Sequence, residues 1–145
     1  MKLIIQQSSD ITDIQITIQC SYITKDLQSV ITLINNLESS ITGYKDGSCY
    51  KISIEAICFI DAIDNKTFLY TNNYIYSCKE KLYELEERLK NMGFIRINKN
   101  TIVNLRQISH VKPIGISKLE VYLKNKEKLV VNRSYLQSFK KRFTL

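Results

Sequence analysis

The chain has 145 residues, about one domain, with 44% apolar residues and 21 Lys plus Arg against 14 Asp plus Glu, a net charge of +7. That apolar content excludes a disordered chain. No window nears the ~18–20 consecutive apolar residues of a membrane span, and the run at 3–5 is too short for a signal peptide. The expectation is a soluble, cytoplasmic protein. It holds 22 Ile, 6 Val and 9 Thr, and such β-branched residues favour strands over helices.

Residues 2–6 read as a short edge strand. Ile14, Ile16 and Ile18 alternate with Gln15, Thr17 and Gln19, the period-two pattern of a strand with one buried face. From Thr24 the period changes. Leu27, Val30, Ile31, Ile34 and Leu37 fall on one helical face, with Thr24 placed to cap its start and Asp26 at the positive end of its dipole. Residues 41–44 form a strand ended by the turn pair Asp46-Gly47. Tyr50, Ile52 and Ile54 then alternate with Lys51, Ser53 and Glu55. The nearly continuous apolar run 56–63 is the pattern of a buried strand. Turns at Asp64-Asn65 and Asn72-Asn73 bracket strands at 67–71 and 74–76.

Ser77 and Glu80 have capping-box spacing. The helix they announce carries Leu82, Leu85, Leu89 and Met92 on one face, the i, i+4 pairs Glu84–Arg88 and Glu86–Lys90, and Gly93 at its C-terminal end. Strands at 94–97 and 101–105 enclose the polar triplet Asn98-Lys99-Asn100. Residues 108–111 form a strand closed by Pro113. Leu119, Val121 and Leu123 alternate with polar neighbours, and Asn125-Lys126 turns the chain into 128–131. Tyr135, Phe139 and Phe143 put a short amphipathic helix over 134–143. The fold class is mostly β (α+β) with short inserted helices. A seam near 40–48 separates an N-terminal extension of two strands and a helix (1–45) from a strand-dominated block (46–145).

Catalytic patterns are missing from the sequence. Cys20, Cys49, Cys58 and Cys78 form no C-x-x-C pair, and the one histidine, His110, is distant from them, so no metal site is expected. The four glycines are scattered rather than gathered into a phosphate-binding loop, and no G-x-S-x-G occurs. The carboxylates near 61–64 and 84–87 need only solvation or a helix dipole to explain them. The expectation is a non-enzyme with no cofactor and no small-molecule substrate.

Charge is the informative feature. Residues 1–87 hold 7 basic and 12 acidic side chains; residues 88–145 hold 14 basic and 2 acidic ones, Glu120 and Glu127. A net of +12 in the last 58 residues is the electrostatic footprint of a polyanion-binding surface. The cations are interleaved with Asn, Ser and Tyr at turns: 64–67, 98–100 and 132–135. Polar loop tips can enter a groove while Lys and Arg offset phosphate charge. Arg133 is suited to read a base, because its fork can engage guanine bidentately. No helix-turn-helix pattern accompanies these residues. Two readings compete: a sequence-specific DNA binder that works from loops, and a basic β-rich interaction module that meets an acidic protein or anionic surface.

The stretch 94–108, FIRINKNTIVNLRQI, resembles the signature of the LytTR-type bacterial DNA-binding domain. So do the hairpin that follows, Leu129-Val130-Val131-Asn132-Arg133-Ser134-Tyr135, then Phe139-Lys140-Lys141, and the upstream helix 82–89. The resemblance covers roughly 48–145. It implies stacked small β-sheets whose loops enter successive major grooves of double-stranded DNA, often at paired direct repeats. Carried over by position, the contacts are Lys66 and Thr67, then Asn98, Lys99 and Asn100 with Lys99 at the usual contact position, then Arg133 with Ser134 and Tyr135. Many members have His-Arg-Ser or His-Asn-Ser in place of Asn98-Lys99-Asn100, and Ser in place of Asn132. The short extension resembles stand-alone LytTR regulators restrained by a small membrane protein rather than by a phosphorylated receiver domain. Its apolar helix face can pack on the domain, pair with a second protomer in a homodimer, or dock such an inhibitor.

Overall fold

Hairpin turns divide this β-branched sequence into short strands. In the computed structural model, which describes residues 2–12, 14–37 and 40–144, ten strands and three α-helices form. Helix α1 (Lys25–Leu37) precedes β1 (Ser40–Lys45), β2 (Ser48–Ser53), β3 (Ile57–Ile63), β4 (Lys66–Thr71) and β5 (Ile75–Cys78). Helix α2 (Leu82–Leu89) is followed by β6 (Phe94–Asn98), β7 (Thr101–Asn104), β8 (Ile108–Ile114), β9 (Lys118–Leu123), β10 (Lys128–Val131) and α3 (Arg133–Phe143). The chain divides into two compact units, Met1–Ile34 and Asn35–Leu145.

In the larger unit, seven strands form one antiparallel sheet in the order β2-β1-β5-β4-β3-β7-β6. The second sheet, β10-β9-β8, is also antiparallel. Asp46-Gly47 and Asp64-Asn65 both have positive φ at each central position, the geometry of two-residue hairpins whose twist matches their strands.

Two hydrophobic cores lie on opposite faces of the large sheet. Leu82, Leu85 and Leu89 of α2 pack with Ile41, Ile60, Leu69 and Ile102 in the first. Phe59, Ile97 and Val103 pack with Val121 and Leu123 of the small sheet and Phe139 of α3 in the second. Neighbouring residues of β3 (Phe59, Ile60) and of β7 (Ile102, Val103) thus point into different cores. A strand covered on both faces needs apolar residues at consecutive positions, which accounts for the unbroken run at 56–63.

Several sequence expectations hold locally. Thr24 caps α1, its Oγ1 accepting from the Leu27 N–H at 3.2 Å. Leu27, Val30, Ile31 and Ile34 are half-buried along that helix; the side chain of Leu37 lies outside the described residues.

Others are corrected. Neither 2–6 nor 14–18 forms a strand among the described residues. Ile14, Ile16 and Ile18 are 95%, 60% and 42% exposed. Ser77 does not start α2; it lies in β5, paired with Tyr44 and Phe68. Helix α2 begins one turn later, where the Glu84 carboxylate accepts from the Lys81 N–H at 3.0 Å. Lysine has no acceptor, so only this half of a capping box is made.

The expected pairs within α2 are replaced by contacts that pin the helix to its surroundings. Arg88 binds Glu80 at 2.9 Å and the Ser40 carbonyl at 2.7 Å, and Glu86 binds Arg96 at 2.7 Å. Strand β8 runs through Pro113, which is tolerated because β8 is an edge strand and its missing N–H faces away from the ladder.

Candidate nucleic-acid interface

Strand polarity brings three loops together. Strand β3 pairs antiparallel with β4 and with β7, so the β3–β4 turn and the β6–β7 turn share one end of the large sheet. Backbone bonds fix their spacing: the Ala62 N–H donates to the Asn100 carbonyl at 2.8 Å, and Thr101 Oγ1 donates to Asp61 at 2.9 Å. The third loop is tied to the second. Asn98 Nδ2 donates to the Val130 carbonyl at 3.2 Å, and the Asn132 N–H donates to the Ile97 carbonyl at 2.9 Å. Residues 98–101 are therefore hydrogen-bonded to 130–133 on one side and to the end of β3, which leads into 64–67, on the other, forming one rim.

The middle loop is braced twice. Asn98 Oδ1 accepts from the Asn100 N–H at 2.9 Å, an Asx turn that shapes the tip. Arg96, held by Glu86, donates to the carbonyls of Asn98 and Lys99 from below. One cation of the basic segment is thus spent on structure, and Lys99 projects from a shaped backbone.

The residues named from sequence separate into two groups. Lys66, Lys99, Asn100, Arg133 and Ser134 are exposed. Lys66, Lys99 and Arg133 take part in no ion pair among the described residues. The other three are wholly or partly buried. Thr67 is 4% exposed, on the inward-facing side of β4. Asn98 is half-buried with both ends of its amide engaged. Tyr135 packs against the second core.

Asn132, read with the 132–135 turn, sits at the N-cap of α3, exposed and without a capping bond. One exposed feature was missed. Ile116, in the β8–β9 turn, is 102% exposed and lines a cleft with Ser117, Arg133 and Leu136. An isoleucine between Gly115 and Ser117 was the available signal, since a bare turn has no use for a large apolar side chain.

Exposed cations from three sequence-distant loops thus stand at one end of the large sheet. No group of three or more His, Cys, Asp or Glu able to hold a metal occurs among the described residues. No helix among them is long and apolar enough to cross a membrane.

The comparisons agree with this geometry: the family model for the LytTr DNA-binding domain matches residues 47–144, and the chain belongs to that family. An uncharacterized HTH-type transcriptional regulator of Staphylococcus aureus strain NCTC 8325 is 32% identical over 149 residues, spanning 100% of this chain and 99% of the relative. One from strain MRSA252 is 31% identical over the same spans. A solved LytTr DNA-binding domain from Bacillus cereus superposes with a TM-score of 0.71 at 25% identity, covering 74% of this chain and 98% of that one. Despite the relatives' name, α1, α2 and α3 are separated by strands, and no helix-turn-helix pair occurs among the described residues.

Proposed function

We propose that the chain is a sequence-specific transcriptional regulator that grips double-stranded DNA along the rim formed by its three loops. Lys66 and Lys99 offset backbone phosphates. Arg133 reads a base edge from the start of α3, flanked by Asn132 and Ser134, and Ile116 offers an apolar contact for a thymine methyl. The loops enter successive major grooves, and paired repeats in the DNA receive two protomers.

One observation carries this reading: three cation-bearing loops, distant in sequence, are locked edge to edge by the bonds Ala62–Asn100, Asn98–Val130 and Asn132–Ile97. A solvated basic surface has no need for that rigidity. Membership of the DNA-binding family and the regulator names of the relatives support it.

Control falls to a partner protein, of the small membrane-protein class that the resemblance implies, rather than to phosphorylation. The Staphylococcus relatives are matched over 99% of their length, which leaves no room in them for a receiver-sized second domain.

Selection from a random-sequence duplex pool tests the proposal, followed by binding of the winner and a scrambled duplex across a salt series. A regulator enriches a short motif and prefers it by about 10³-fold or more. Equal binding of both duplexes, lost together as salt rises, would leave only a basic β module.

A further inference from the structure

The rim draws on Lys99 and Arg133 among the 14 basic residues of 88–145. Five others, Lys112, Lys118, Lys124, Lys126 and Lys128, lie on the small sheet and its last turn, beside two carboxylates, Glu120 and Glu127. Alternation sets most of them on one side. Leu119, Val121 and Leu123 of β9 are buried in the second core, so Lys118, Glu120, Tyr122 and Lys124 point outward. The antiparallel register carries that outer face across all three strands, because directly opposed residues share a face. Lys128, Tyr122 and His110 form one row, Val130, Glu120 and Lys112 a second, and Lys118 and Ile114 a third.

This face is both basic and aromatic. Lys112, Lys118 and Lys124 take part in no ion pair among the described residues. The one carboxylate of the rows, Glu120, accepts from the Tyr122 hydroxyl and lies 3.9 Å from Lys128 Nζ. His110 stacks on Tyr122 with ring centroids 4.5 Å apart and planes 6° from parallel. Strand β8 is the edge of its sheet and His110 is exposed, so the stack ends on an imidazole with no strand beyond it. An unpaired base and its phosphate complement such a surface, one by stacking and the other by charge. A duplex does not: its base faces are covered by their neighbours, and its major groove admits a helix or a two-stranded ribbon rather than the flat of a three-stranded sheet. An acidic peptide would engage the lysines and leave the stack without a partner.

We propose that the outer face of the small sheet is a second nucleic-acid site, separate from the rim, that takes single-stranded DNA. A base stacks on His110 and extends the Tyr122–His110 pair, while Lys112, Lys118, Lys124 and Lys128 track the backbone phosphates. The third row leads through the β8–β9 turn to the cleft of Ile116 and Arg133. A strand unpaired next to a duplex held at the rim thus reaches this face without leaving the protein. The choice of DNA over RNA rests on the reading of the rim as a duplex-DNA site; the binding of a single strand does not.

Fluorescence anisotropy of a labelled oligo-dT of about 12 nucleotides, titrated with the full chain across a salt series, tests the proposal. The wild type binds it with a log–log salt slope of about −0.7 per phosphate neutralised. His110→Ala raises the Kd about tenfold, whereas His110→Phe keeps a stacking face and stays within about twofold of the wild type. Lys112→Ala with Lys118→Ala makes the slope shallower by about 1.4. Lys51→Ala with Lys79→Ala removes the same charge from beside β2 and β5 of the large sheet and leaves the slope unchanged. A wild type that does not bind oligo-dT overturns the proposal. So does a His110→Ala variant that binds like the wild type, or an equal loss of slope in the two lysine pairs. Tighter binding of oligo-rU than of oligo-dT overturns the assignment to DNA. Duplex selection reads the rim and this titration reads the sheet, so either can fail alone.

Discussion

Asn98 is the residue on which the shape of the interface turns, and replacing it with alanine separates shape from charge. Its Nδ2 donates to the Val130 carbonyl at 3.2 Å, and its Oδ1 accepts from the Asn100 N–H at 2.9 Å. Each bond contributes about 1 kcal/mol net. Asn100 is exposed, so water replaces the lost acceptor; Val130 is half-buried, so its carbonyl is left partly dry. The expected cost of Asn98→Ala is about 2 kcal/mol, or roughly 5 °C in Tm for a chain of this size. Asn98→Asp keeps the acceptor and loses the donor, at a cost of about 1 kcal/mol. Urea and thermal melts measure both.

The functional consequence follows from lost preorganisation. With the Asx turn and one of the two ties to the third loop gone, Lys99 is less ordered before binding, and affinity for the duplex recovered by selection falls about tenfold although no charge is removed. If Asn98→Ala melts with the wild type and binds that duplex equally well, the hydrogen-bonded rim is not what holds the cations, and the argument for the interface fails.

Other predictions follow from individual contacts. Lys99→Ala weakens selected and random duplexes alike and lowers the log–log salt slope by about one, whereas Arg133→Ala relaxes preference at one base position; titrations on both duplexes distinguish them. Gly43→Ala destabilises by about 1–3 kcal/mol in urea, because the added Cβ would meet Tyr76 Cβ at 2.8 Å and Ile52 Cγ1 at 3.1 Å; an unchanged midpoint would show that the sheet yields there. Burial pushes the Cys58 and Cys78 thiols above their ordinary value of 9.0. The unfolded chain therefore releases these protons first. Their contribution is full below about pH 9 and is lost as pH rises through the folded values, so melts of Cys58→Ala show a shallower alkaline decline than the wild type.

Much of the larger unit was legible because its signals are local. Asp46-Gly47 and Asp64-Asn65 mark hairpins through residues that accept positive φ, while at Asn125-Lys126 the positive φ falls on Lys126. Leu82, Leu85 and Leu89 mark a helix face by spacing alone. What escaped depended on partners distant in the chain. Ser77 looks like a cap until β5 claims it for the ladder with Tyr44, 33 residues away. Arg88 has sequence neighbours of opposite charge and Arg96 has none, yet each reaches a carboxylate set by tertiary packing.

The site shows the same division. Turn position and charge single out Lys66, Lys99 and Arg133 as candidates, and all three are exposed. Position cannot tell that Thr67 faces inward, or that Asn98 binds a carbonyl 32 residues away. The strand pattern at 14–18 was misread for a related reason. Alternation states that one face wants covering; it does not name the strand that would pair with it, and none does among the described residues.

The central claim is that one rim of this protein meets DNA. Amide chemical-shift mapping, with the selected duplex titrated into isotope-labelled full-length protein, tests it most directly. The account predicts that the largest shifts cluster at 64–67, 98–101, 115–117 and 130–135. Shifts concentrated instead around Tyr44, Tyr50 and Tyr74, or spread evenly over the basic surface, would contradict it.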